Sequence, residues 1–197
     1  MLKKLALIPA TAAATVLVHG GLALRRLARL HIRNPQGWHT LRGIGSQDAD
    51  ALTRALITRI GIFANSPNET VYFNALPRGG GYRSLGPHPL VGGRHYQVRG
   101  SLALPAAWWS ITLYGADDFL FDNPQGRYSF TDVDLESDDE GRFCLDIAAQ
   151  RPAGATNWLP GPAEGAFALV LRIYEPEPEL FEHLEHYPLP EFTEIQP

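Results

Sequence analysis

The chain has 197 residues, 45% hydrophobic and 19% charged, enough for one domain with its own core plus an appendage. Its formal charge of −4 gives no basic face for phosphates, so no nucleic-acid partner is expected. The single cysteine, Cys144, excludes an internal disulfide, and 19 Gly with 16 Pro favour many short strands over long helices.

Lys3 and Lys4 precede an apolar segment, residues 5–24, interrupted by Thr11, Thr15 and His19; Arg25, Arg26 and Arg29 follow. About twenty residues suffice to cross a hydrocarbon core ~30 Å thick. Residues 1–33 are therefore expected to form a single transmembrane helix with a basic flank, attaching the protein to a membrane. A signal peptide cleaved after Ala23 is the alternative, disfavoured by the basic cluster behind it. The positive charges alone point the domain toward the cytoplasm.

Residues 34–45, with Pro35, Gly37, Gly43 and Gly45, read as a linker. Residues 46–65 predict a helix packed on the domain: Ser46 suits its N-cap, Asp48 and Asp50 its positive end, and Leu52, Ala55, Leu56, Ile60 and Phe63 share a face. Strands are expected over 70–75 and 94–102. In the second, Tyr96, Val98 and Leu102 point inward and His95, Gln97 and Arg99 outward. Residues 77–93 read as a loop. The apolar run from Trp108 to Tyr114 suits a strand covered on both faces, and Phe119, Leu120 and Phe121 resume it after a turn at Gly115 to Asp118. Further strands are expected over 129–132, 142–149 and 167–174, then a short helix from Pro178 and an extended tail. The sum is mainly β: an antiparallel β-sandwich or jelly-roll-like domain over 46–197 with one packed N-terminal helix.

The strings WWSITLYGADDFLFDNPQGRYS, from Trp108, and NWLPGPAEGAFALVLRIYEPEP, from Asn157, resemble the two signatures of the domain-of-unknown-function family 1214. The stretch GSQDADALTRALITRIGIFANSPNETVYFNALP, from Gly45, is similar to the lead-in segment of its short, membrane-anchored members. The resemblance covers roughly residues 35–190 of this chain. It implies a sandwich domain of secreted bacterial proteins, often beside or fused to a companion domain. It brings no established reaction and no catalytic residues. It also points to a periplasmic domain on a single-pass inner-membrane anchor, against the charge count.

No motif has the spacing of a catalytic or metal site. The acidic run from Asp132 to Glu140 fails the calcium-loop pattern, since Ser137 stands at the sharp-turn position and Phe143 at the bidentate one. His183 and His186 lack a third ligand. Cys144 lies among apolar strand residues, and the glycines around Gly79 and Gly92 lack a phosphate-loop lysine. No metal and no cofactor are therefore expected. The aromatic residues are the most informative set. Trp158 and Asn157, expected on a loop, are the first choice for a ligand rim, joined by Tyr114, Tyr128, Asp118, Arg127 and Arg172. The reading is a membrane-anchored envelope module that binds a small apolar or carbohydrate-like ligand or a companion envelope protein. A hydrolase or lyase with an aromatic-lined site, and a purely structural interaction domain, are the alternatives.

Overall fold

The structure is a computed structural model, described at residues 29, 31–41, 51, 69–75, 90–117 and 119–195. The strands are β1 (His31–Asn34), β2 (Trp38–Leu41), β3 (Thr70–Ala75), β4 (Leu90–Val91), β5 (His95–Ser101) and β6 (Ala106–Tyr114). They continue with β7 (Ser129–Thr131), β8 (Arg142–Ala148), β9 (Asn157–Pro160), β10 (Ala166–Pro176) and β11 (Glu191–Ile195). Among the elements described along their length is a short helix, α1 (Pro178–Glu182), which starts at its proline, whose missing N–H suits a helix's first turn.

Two sheets result. The larger runs β1-β2-β3-β10-β6-β7, with β4 pairing the start of β10; the smaller runs β11-β5-β8-β9. All pairings are antiparallel except β8 with β9. The chain is thus mainly β, as expected. Alternation along each strand decides which side chains meet. Phe73, Trp109, Ile111, Leu169 and Leu171 of the larger sheet share one buried cluster with Tyr96, Val98, Phe143, Leu145 and Ile147 of the smaller. Rings join the sheets: Trp109 lies 5.5 Å from Phe143, and Tyr96 5.8 Å from Phe167. Burying each such side chain stabilises the fold by about 2 kcal/mol.

Several expectations are corrected. The first part of the segment read as a linker is a hairpin. Gly37, at φ 91, makes its turn, Asn34 Oδ1 accepts the Gln36 N–H at 3.0 Å, and Trp38 is completely buried. Turn residues that look like a linker in sequence here reverse a strand, so the packed unit includes residues before 46. Part of the 77–93 loop is β4, and part of the extended tail is β11, paired to β5. Phe119 to Phe121 form no strand; a single bridge, Tyr114 to Leu120, remains, and Phe119 is 73% exposed. The expected helix over 46–65 and the apolar segment 5–24 lie outside the described residues. Among the described residues, no helix is long and apolar enough to cross a membrane.

Candidate functional site

A groove of about 490 Å³ lies on the outer face of the smaller sheet. Its floor follows from register. With Tyr96 and Val98 paired to Ile147 and Leu145 on the core side, Gln97 faces Asp146 and Arg99 faces Cys144 on the other. One wall is the segment from Glu136 to Asp138, and the other is the β8–β9 connection from Pro152 to Thr156.

Both walls are pinned. Asn157, 2% exposed, accepts the Glu136 N–H at 2.9 Å and donates to the Glu136 carbonyl at 2.8 Å and the Cys144 carbonyl at 3.0 Å. Its amide therefore staples the first wall to β8. Arg151 donates to the Ala155 carbonyl at 2.8 Å and the Thr156 carbonyl at 3.3 Å, bracing the second. Asp138 caps the turn at Glu140 and pairs with Arg142 at 3.0 Å.

At the floor, Asp146 is only 6% exposed. Its Oδ1 accepts from Gln97 Nε2 at 2.7 Å and lies 2.7 Å from His95 Nε2. Arg99 donates twice to Gln97 Oε1, at 3.0 and 2.7 Å, so Gln97 relays an arginine's charge to the carboxylate. A buried carboxylate held this way presents an oriented acceptor, while His95 and Gln97 present donors beside it. Burial, then the Asp146 charge, raises the Cys144 thiol above its ordinary range, with Arg99 opposing. Among the described residues, no three His, Cys, Asp or Glu side chains converge as metal ligands.

The expected site residues fall in three places. Tyr114 and Arg172 meet on the outer face of the larger sheet, where Arg172 donates to the Tyr114 hydroxyl. Arg127 and Tyr128 lie on the β6–β7 connection. Arg127 stacks 4.5 Å above Phe130 and pairs with Asp134 at 3.3 Å, and the Tyr128 carbonyl accepts from Leu113. Asn157 and Trp158 lie on β9, a strand where a loop was expected, because β9 pairs in parallel with β8. Asn157 supports the groove wall, and Trp158 donates its indole N–H to the Ala148 carbonyl at 2.9 Å. Asp118 lies outside the described residues. The six described residues do not form a single aromatic mouth.

The sequence reading did not single out His95, Gln97 or Asp146 as a site. One signal was available: Asp146 is a lone charge within the apolar run FCLDIAA, and a charged residue in a buried strand needs a partner.

Residues 84–178 match the family model described as Protein of unknown function (DUF1214). The VPA0106 protein from Vibrio parahaemolyticus has a similar crystal structure, with a TM-score of 0.56 and 25% identity, covering 76% of this chain and 36% of that one. A crystal structure of an uncharacterised protein from Burkholderia cenocepacia matches with a TM-score of 0.45 and 14% identity, over 68% of this chain and 31% of that one. This chain thus spans about a third of the length of these solved structures. No curated protein matches it.

Proposed function

This chain belongs to the DUF1214 family, and from that premise and the groove's geometry we infer that its domain is a binding module for a polyhydroxylated, carbohydrate-like ligand. The observation that carries the reading is Asp146: a buried carboxylate, oriented by Gln97 and His95 at the floor of an open groove. Adjacent hydroxyls can donate to such a carboxylate and accept from a neighbouring amide or imidazole. Ser137 and Thr156 add hydroxyls at the walls. Of the two small-ligand classes expected from sequence, this lining favours the hydroxylated one over the apolar one, since among the described residues no Phe, Tyr or Trp side chain lines the groove.

The reading includes a single-pass inner-membrane anchor at residues 5–24, a periplasmic domain and a companion envelope protein. The twenty-residue apolar length and its basic flanks support the anchor. The likeness to a much longer Vibrio chain, matched over 36% of its length, supports a companion.

The His95–Asp146 pair favours one second reading, acid–base catalysis on the same ligand. Asp146 would orient the imidazole and His95 would exchange the proton.

Native mass spectrometry of the full chain, extracted gently in detergent, tests the binding reading. A retained saccharide mass, absent from Asp146→Asn, is expected. Retention by both forms places the ligand elsewhere. A sugar bound intact for hours favours binding over turnover, and cleavage lost in Asp146→Asn favours the catalytic reading.

A further inference from the structure

The outer face of the larger sheet holds an arginine, Arg172, with no counter-ion among the described residues. Alternation places Tyr72 of β3, Arg172 and Tyr174 of β10, and Trp108, Thr112 and Tyr114 of β6 on the side away from the shared core. Arg172 stands opposite Tyr72 in the register. Its guanidinium donates to Thr112 Oγ1 at 3.3 Å and to the Tyr114 hydroxyl, and its central carbon lies 5.1 Å from the Tyr114 ring and 5.9 Å from the Tyr72 ring.

Thr112 is 5% exposed and Arg172 is half-buried, so the cation is partly withdrawn from water. Among the described residues, no carboxylate pairs with it. Among the described residues, two of its guanidinium donors are used, which leaves others for an incoming acceptor. A desolvated charge held only by neutral hydroxyls and rings is costly, and an incoming anion offsets that cost. Burial raises the Tyr72 phenol above its usual range, with Tyr174 adding to the shift, so its proton is retained beside the site. Next to the guanidinium, Trp108 and Tyr174 pack at 4.6 Å between ring centroids, and Trp108 is 36% exposed. This pair offers a platform for a flat organic body.

We propose that Arg172, with Thr112, Tyr114 and the Trp108–Tyr174 pair, forms a binding site for an aryl oxyanion, a phosphate or carboxylate carried on an aromatic ring. The site lies on the opposite sheet from the saccharide groove and does not depend on it.

The test uses the full chain in detergent. Phenylglyoxal modification of Arg172, read by peptide mass, is slowed severalfold by phenyl phosphate or benzoate, and whichever protects better identifies the head group. Calorimetric titration with the better probe loses about tenfold or more in affinity on Arg172→Gln and less on Arg172→Lys. Asp146→Asn leaves that affinity unchanged. Equal labelling with and without both probes overturns the site. Equal protection by inorganic phosphate overturns the aromatic platform. The labelling arm uses the wild-type chain and stands even where Arg172→Gln does not fold.

Discussion

Trp38 donates its indole N–H to the Pro190 carbonyl at 2.6 Å, joining two residues 152 positions apart. Around it, Phe192 donates its N–H to the Gln36 carbonyl at 2.7 Å, and Asn34 donates to the Leu184 and Tyr187 carbonyls. The first hairpin is therefore fastened to the C-terminal segment. Trp38→Phe keeps most of the apolar area but strands a buried carbonyl, and is expected to cost about 2 kcal/mol. Urea denaturation reads this directly; an unchanged midpoint would separate the hairpin from the cooperative unit.

Asn157 spans three backbone groups that no other described side chain serves. Asn157→Ala removes one acceptor and two donors at a position 2% exposed, and is expected to destabilise by about 3 kcal/mol. Hydrogen exchange should show the Glu136 amide losing protection first. If that amide exchanges as in the wild type, the staple does not hold the wall.

Cys144 reports on the charge of Asp146. Asp146→Asn removes one cause of the thiol's raised pKa while keeping the side chain's shape. Iodoacetamide should then alkylate Cys144 severalfold faster at mildly alkaline pH. A slower or equal rate would mean that the carboxylate's charge does not reach the thiol.

The His31–His39 pair predicts acid sensitivity. Their ring nitrogens lie 3.2 Å apart, and burial, followed by the charges of His31 and Arg33, lowers His39 from 6.5 to about 4. Burial, then the Arg33 charge, lowers His31 as well. The sign follows from proton counting. Between pH 6.5 and about 4 the unfolded His39 takes up a proton that the folded one refuses, so stability falls as pH falls through that window. The loss attributable to His39 is about 3 kcal/mol. Denaturation midpoints measured from pH 7 to pH 4.5 should drop steeply in the wild type and more gently in His39→Gln. Parallel curves would assign the acid sensitivity elsewhere.

What the sequence made legible was local. Alternation in HYQVRGS and RFCLDIA, and the long apolar run of β10, announced strands, and in the first of these Tyr96 and Val98 were correctly named as inward, because one buried face fixes a period of two. The hairpin at Gly37 was hidden because its turn residues match those of a linker, and its partners lie about 150 residues away. β9 was hidden for a related reason: its edge pairing with β8 in parallel leaves no hairpin signal. The groove was invisible because it is built across strands. His95 and Asp146 stand 51 positions apart, and nothing in either neighbourhood points to the other. Arg172 and Tyr114 were singled out individually, and the register of β10 on β6 brings them together. Trp158 drew the eye as an aromatic, yet its indole is spent on Ala148.

The most direct measurement is a two-dimensional NMR titration of the full chain in detergent, following the Gln97 side-chain amide and the His95 imidazole. The probes are glucose, galactose, mannose, N-acetylglucosamine and their β1,4-linked dimers. At least one saccharide is expected to shift both groups together and saturably, with affinity lowered about tenfold or more by Asp146→Asn. If no saccharide moves either group, or if shifts persist unchanged in Asp146→Asn, the groove is not the binding site described above.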